Sequence, residues 1–200
     1  SALIFFGISI TLLYVATSKK KYVFTALGLA AIGSVAGYTM FGHVRERVMI
    51  WRDPWKYALG SSYQIVEGMY SIAAGGLFGV GLGQGHFQNL PVKESDMIYA
   101  IICEELGLIG AIIIISVFLV LIVAGINVAM RAKDKYGRLL ATGIISVIAV
   151  QVVINIAVVT GSMPVTGVPL PFISYGGTSL VFNLAAIGVL LNISRHSVKD

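Results

Sequence analysis

The chain has 200 residues, of which 57% are hydrophobic and only 12% are charged, and its formal net charge is +5. This composition, with a mean hydropathy of +0.90, excludes an ordinary soluble domain. The apolar runs are about 20 residues long and do not alternate with polar residues, which predicts an all-α polytopic membrane protein. The one cysteine, Cys103, excludes an intrachain disulfide framework.

We predict five membrane-spanning helices, separated by two short and two long connections. The spans cover roughly Ala2–Thr17, Tyr22–Phe41, Leu108–Met130, Leu139–Thr160 and Thr178–Ser194. The long connections are a large loop over Gly42–Gly107 and a second loop over Gly161–Gly177. The chain opens inside an apolar run with no initiator Met, so we expect a fragment that lacks its N-terminal part.

Basic residues predict the orientation of these spans. One side of the membrane would hold nine basic and two acidic residues: Lys19, Lys20, Lys21, Arg131, Lys133, Lys135, Arg138, Arg195 and Lys199 against Asp134 and Asp200. The other side is slightly acidic. The positive-inside rule then makes the first side and the C-terminus cytoplasmic, and both long loops extracytoplasmic.

The large loop contains its own helical patterns. Val44, Val48 and Trp51 recur at helical spacing, which predicts an interfacial helix with an aromatic belt. Further along, Asp96–Arg131 forms one helical pattern of 36 residues, or about 54 Å, which exceeds a hydrocarbon core of about 30 Å. We therefore expect a break at Gly107 or Gly110, with Asp96–Leu106 as a separate helix.

Glycines mark two further features. Gly75, Gly79 and Gly83 recur every four residues, as do Gly33 and Gly37 in the second span, which favours close helix packing over a nucleotide cradle. The second loop is apolar and rich in proline and glycine, so it is stiffened and not a flexible linker. Such backbone at membrane depth must pack against protein or line a cavity, and we expect a groove there.

Several polar residues have two readings each. Asp96 is either a helix cap or a general base facing a groove. Glu104 and Glu105 either pack against the basic external loop or face a cavity, while Arg45 and Arg47 either anchor the interface or bind a lipid-linked diphosphate. Gln151 and Asn155 share a helix face, and they either join helices or line the groove.

The three histidines of the chain lack metal-ligand spacing: His43, His86 and His196.

A series of motifs along the chain resembles, in content and in order, the C-terminal half of the SEDS family (shape, elongation, division and sporulation), whose members include FtsW, RodA and SpoVE. The motifs are Tyr63-Gln64, the Gly75–Gly83 run, Leu90-Pro91, Ser95-Asp96-Met97-Ile98, Glu104-Glu105-Leu106-Gly107, Gln151–Asn155, Met163–Gly167, Leu170–Gly177 and Asn192–Arg195. Val92, Ser95 and Met97 stand where the family usually has Glu, Thr and Phe.

The resemblance implies a ten-span bacterial cytoplasmic membrane protein that polymerises lipid II into glycan strands, with a class B penicillin-binding protein as partner. It implies an inverting glycosyltransferase in which Asp96 is the general base. Substrate contacts are then assigned to Arg45, Arg47, Gln64, Lys93, Glu104, Glu105, Ser174 and Tyr175. No metal-binding residue is assigned, and a divalent cation (Mg or Mn) stays open as a cofactor.

Two other functions stay open at this point. The first is a lipid II transporter, although such proteins often place charges within their spans near the midplane. The strong polar groups of the predicted spans are uncharged: Asn127, Gln151, Asn155 and Asn183. The second is a non-catalytic membrane scaffold for a penicillin-binding protein.

Overall fold

A computed structural model describes residues 2–60, 62–85 and 96–197, and these residues form helices and loops with no strand. The helices are α1 (Ala2–Thr17), α2 (Lys20–Met40), α3 (Gly42–Arg52), α4 (Tyr63–Gly75), α5 (Ile98–Arg131), α6 (Lys135–Val159) and α7 (Gly177–Arg195), with a short 3-10 turn at Trp55–Tyr57. The all-α prediction is confirmed.

Within the described part of the chain, four helices are long and apolar enough to cross a membrane: α2, α5, α6 and α7. The helix α1 lies where the first span was predicted, but its 16 residues measure only about 24 Å, short of a typical hydrocarbon core. It packs along α6, since a Cβ added at Gly7 would lie 3.3 Å from a methyl group of Val150.

The core forms where α5, α6 and the second loop meet. Met97, Ile148, Val159 and Leu170 are each at most 1% exposed and belong to one apolar cluster. In contrast, α2 has no buried residue. Cβ atoms at its Gly33 and Gly37 would meet nothing within 4 Å, so the predicted close packing at these two glycines is absent from the described structure.

The contacts between helices define two ends of the bundle. The start of α6 and the end of α7 line one cavity, and Thr11 and Val15 of α1 share another with Met130 and Arg138. The basic turns between α1 and α2 and between α5 and α6 therefore lie at the same end, which we call the basic end. Asp96 and the second loop lie at the other end, because the last turns of α6 contact both.

Helix α5 is broken at Gly107, whose φ of 66° and ψ of −166° are not helical. The break falls at one of the two predicted positions. It frees the carbonyls of Glu104 and Glu105, which accept instead from the N–H groups of Val80 (2.9 Å) and Gly81 (3.1 Å). Every polar backbone group must be satisfied within a membrane protein, and the glycine-rich loop supplies these partners.

The exchange is reciprocal. The N–H groups of Leu108 and Ile109, also freed by the break, donate to the carbonyls of Gly76 (2.9 Å) and Leu77 (3.3 Å). The two backbones lie so close that a Cβ at Gly79 would overlap the Glu105 carbonyl. Close packing at Gly75 and Gly79 is thus observed, but Gly79 and Gly83 lie in a loop with positive φ and not in a helix, which corrects the helical part of that prediction.

Candidate functional site

Asp96 lies in a turn immediately before α5. The N-cap position of α5 is Met97, whose side chain makes no capping hydrogen bond. Met97 is 1% exposed and anchors the turn in the core, whereas the Asp96 side chain is half-buried. Asp96 thus precedes the N-cap position by one residue, and its half-buried side chain remains a candidate for the general base.

Asn155 of α6 joins the main chain of this turn to the main chain of the second loop. Its side-chain Nδ2 donates to the carbonyl of Asp96 (2.9 Å) and to the carbonyl of Val168 in the second loop (2.7 Å). Asn155 is 1% exposed. The sequence identified this residue but assigned it to helix–helix contact or groove lining; its partners are instead the backbones of two loops.

The second loop brings its backbone against the Asp96 carboxylate. Gly167 has φ of 64°, and a Cβ added there would lie 3.3 Å from Asp96 Oδ2. The left-handed conformation and the close approach both favour glycine at this position. The stiffened loop predicted from the sequence therefore forms one wall beside the candidate base.

A pocket of about 370 Å³ opens near this wall, between α3, α4 and the second loop. It is lined by His43, Glu46, Arg47, Ile50, Gln64, Ile65 and Val165. Arg47 also donates from Nη1 to the Val165 carbonyl (3.0 Å). Val165 is two residues from Gly167, a span of at most about 7 Å, so the pocket and the Asp96 carboxylate share the same stretch of loop.

Helix α3 is tied to the second loop at another point as well. The indole Nε1 of Trp51 donates to the Gly161 carbonyl at 2.7 Å. The helix predicted from Val44, Val48 and Trp51 is present as α3. Its docking on the loop explains how Arg47, one turn earlier on α3, is aimed at the pocket.

The structure brings two of the assigned substrate contacts, Arg47 and Gln64, into this pocket. Among the described residues, the other assigned contacts do not line it. Arg45 is exposed on α3, and Glu104 is 1% exposed inside the core. Lys93 lies outside the described residues.

The remaining assigned contacts make local interactions. Glu105 accepts from the Gly83 N–H through Oε1 (3.0 Å), and the Ser174 hydroxyl accepts from the Leu170 N–H (2.7 Å). Tyr175 is 79% exposed. Glu105 and Ser174 thus stabilise loops in this structure, and neither lines the described pocket.

Sequence reasoning missed two of the pocket's polar residues, His43 and Glu46. A signal was available, because Glu46 and Arg47 lie three and four residues after His43 on a helix, so both are on the same face as His43. Among the described residues, no group of three or more His, Cys, Asp or Glu side chains is arranged to hold a metal ion.

Comparison with known proteins decides the family. The family model that covers FtsW, RodA and SpoVE, described as a cell cycle protein, matches residues 1–199. The chain belongs to this family. It is 47% identical over 194 residues to the stage V sporulation protein E of Bacillus subtilis, covering 96% of this chain and 53% of that protein.

Other members of the FtsW/RodA/SpoVE family carry an enzymatic name. A probable peptidoglycan glycosyltransferase FtsW of Geobacter metallireducens is 39% identical over 201 residues, covering 98% of this chain and 53% of the relative. The peptidoglycan glycosyltransferase RodA of Mycobacterium bovis is 38% identical over 195 residues, covering 98% and 42%. The chain thus spans about half the length of the curated relatives it matches.

Solved structures show the same fold. A chain from a study of how a peptidoglycan synthase complex coordinates polymerisation and crosslinking matches with a TM-score of 0.79 and 26% identity, over 100% of this chain and 56% of that one. A mutant of the rod shape determining protein RodA of Thermus thermophilus matches with a TM-score of 0.53 and 28% identity, over 68% and 43%. The chain is therefore a polytopic membrane protein of the FtsW/RodA/SpoVE family.

Proposed function

We propose that the full-length protein is a peptidoglycan glycosyltransferase that polymerises lipid II, with Asp96 as its general base. Family membership and the names of the relatives support the activity. The observation that carries the assignment of the base is the half-buried Asp96 carboxylate against Gly167, beside a pocket that contains Arg47. A carboxylate near a pocket that contains a guanidinium suits proton abstraction next to a diphosphate.

The proposed step is an inverting displacement. Asp96 accepts the proton of the acceptor sugar's 4-hydroxyl group, and that oxygen forms a bond to the anomeric carbon of the donor strand. The bond from this carbon to the diphosphate oxygen breaks, and the undecaprenyl diphosphate leaves. General-base assistance of this kind typically contributes about 10²–10⁴ in rate.

Arg47 would stabilise the charge that develops on the leaving group. A guanidinium matches phosphate oxygens with two donors, and its contact with Val165 already holds it at the pocket wall. Gln64 and His43 of the same pocket would contribute further hydrogen bonds to the diphosphate or the sugar. Arg45, Lys93, Glu104, Glu105, Ser174 and Tyr175 stay predictions as substrate contacts.

The orientation predicted from the basic residues supports a reaction outside the cell. If the basic end faces the cytoplasm, as the positive-inside rule predicts, Asp96 and the pocket would lie on the extracytoplasmic side and the C-terminus inside. A class B penicillin-binding protein that crosslinks the glycan would then meet the product on that side. A lipid II transporter or a scaffold needs no base at this position.

The substitution Asp96→Asn in the full-length protein with its partner tests the assignment. We expect glycan synthesis from lipid II to fall at least 100-fold while the thermal unfolding midpoint stays unchanged, because the amide keeps the shape but cannot take the proton. Asp53→Asn, which makes the same change at the exposed C-cap of α3, is the matched control and should polymerise normally.

Two results would count against the proposal. Near-normal polymerisation by the Asp96→Asn variant would show that Asp96 is not the general base. Lipid II movement across reconstituted vesicles by a wild-type protein that forms no polymer would instead favour the transporter.

A further inference from the structure

A second pocket, of about 390 Å³, lies at the basic end, between the start of α6 and the end of α7. It is lined by Lys133, Asp134, Tyr136, Gly137, Leu140, Val189, Asn192, Ile193 and His196. It is at the opposite end of the bundle from Asp96, so the proposed reaction has no use for it. Its lining combines cationic, aromatic and apolar groups.

The acidic residue of the pocket is already engaged. Asp134 is the N-cap of α6, and its Oδ2 accepts from the Gly137 N–H at 2.8 Å. Lys133 is exposed beside it, and in the described part of the chain its ammonium group makes no hydrogen bond or ion pair. His196 has Nδ1 2.9 Å from the Asn192 carbonyl, which orients the ring and leaves Nε2 for another partner.

The rest of the lining is apolar. Leu140, Val189 and Ile193 form an apolar wall of the pocket, and they belong to helices that are long and apolar enough to cross a membrane. Tyr136 is 75% exposed at the mouth, where tyrosines typically mark the level of lipid headgroups. A free phosphate ion would not contact this apolar wall. A molecule with an anionic head and acyl chains would contact both the basic and the apolar parts of the lining.

We propose that this pocket binds an anionic diacyl phospholipid, with the phosphate at Lys133 and His196 and the acyl chains along Leu140, Val189 and Ile193. The surrounding basic residues raise the local concentration of such lipids: Arg131, Lys135, Arg138 and Arg195 belong to the same end. Basic pockets between membrane helices on the cytoplasmic side are suited to anionic headgroups. An acidic segment of a partner protein would match the charge but not the apolar wall.

The test titrates phosphatidylglycerol into the full-length protein in neutral detergent and counts bound lipids by native mass spectrometry. We expect Lys133→Gln to weaken binding about fivefold, the equivalent of about 1 kcal/mol for one basic residue at an anionic surface. The control Lys20→Gln removes one charge from the same end outside the pocket and should leave the affinity nearly unchanged. Equal losses in both variants would overturn the proposal, because they would reflect general surface charge.

Two further arms define the ligand. Phosphatidylcholine should not be retained, and millimolar inorganic phosphate should not displace phosphatidylglycerol. Displacement by phosphate would show that the acyl chains do not contribute to binding. A fluorescent polyglutamate peptide should bind wild type and Lys133→Gln alike. If Lys133→Gln lost the peptide while phosphatidylglycerol binding stayed unchanged, the pocket would be a site for an acidic partner segment and the lipid assignment would be wrong.

Discussion

The side-chain amide of Asn155 donates to the main-chain carbonyl of Asp96 at 2.9 Å, and through the same nitrogen to the carbonyl of Val168 at 2.7 Å. Asn155 Oδ1 is buried and has no hydrogen-bond partner among the described residues, so Nδ2 makes all of the side chain's hydrogen bonds there. One nitrogen therefore joins α6, the turn before α5 and the second loop. The separation of Asp96 from Gly167 depends on this junction.

We predict that Asn155→Asp lowers both stability and polymerisation. An aspartate of the same shape has no donor for the two carbonyls, and each buried group left unsatisfied costs about 1–3 kcal/mol. Thermal unfolding of the full-length protein and its rate of glycan synthesis measure the two effects. Asn127→Asp, at an exposed position of α5, should have the smaller effect on polymerisation. A normal polymerisation rate in Asn155→Asp would show that this junction does not position the base.

The break in α5 gives a second prediction, on stability alone. Gly107→Ala would place a Cβ against the backbone of Leu77 and Gly79, in a backbone conformation that is essentially restricted to glycine and that itself costs about 1–3 kcal/mol. Because the obstacle is backbone on both sides, we expect loss of folded protein in detergent. Gly28→Ala on α2 is the control, since its Cβ meets nothing within 4 Å and alanine favours a helix by about 1 kcal/mol. A Gly107→Ala protein that melts like wild type would contradict the close contact.

These residues also show how far the sequence could be read. The length of the Asp96–Arg131 pattern required a break, and the glycines limited its position to Gly107 or Gly110, because helix geometry and membrane thickness are local constraints. The loop that fills the break could not be predicted. Which N–H meets the freed carbonyl of Glu104 depends on the tertiary path of residues 76–81, and no periodicity encodes that path.

The candidate site also has features that the sequence predicts and features that depend on tertiary contacts. Asp96 and the second loop were recognisable from residue types and from the family motifs. That Arg47 lines the pocket while Arg45 does not depends on how α3 docks through Trp51, which is a tertiary contact. Glu104 was expected at a cavity or interface by the cost of burying a carboxylate, yet it is 1% exposed. Helical position alone could not distinguish an inward from an outward face in a segment this apolar.

A third prediction concerns Gly167 beside the candidate base. Gly167→Ala would put a Cβ 3.3 Å from Asp96 Oδ2 and impose left-handed strain on the loop, so we expect polymerisation to fall about tenfold or more. Gly83→Ala is a matched control, because Gly83 has a similar positive φ of 71° but open space around its Cβ. Both variants should lose comparable stability in thermal unfolding. Equal losses of polymerisation would mean that strain, and not displacement of Asp96, is responsible.

The last prediction separates two arginines of α3 that the sequence treated alike. Both are exposed, but Arg47 lines the pocket and contacts Val165, whereas Arg45 does not line it. If the pocket receives the diphosphate, Arg47→Ala should raise the KM for lipid II or lower kcat/KM by about 10-fold or more, since a hydrogen bond to a charged group contributes about 1.5–3 kcal/mol. Arg45→Ala removes the same charge from the same helix and should change kcat/KM by less than about threefold. Arg45 lies outside the pocket lining and would act on the substrate only as a solvent-screened surface charge, which contributes about 0–1 kcal/mol. Arg47→Lys should recover only part of the loss, because an ammonium group lacks the paired donors of a guanidinium. Kinetics of glycan synthesis with the three variants test this prediction. Equal effects at both positions would mean that Arg47 only attracts an anionic substrate in general. The diphosphate would then have to bind elsewhere.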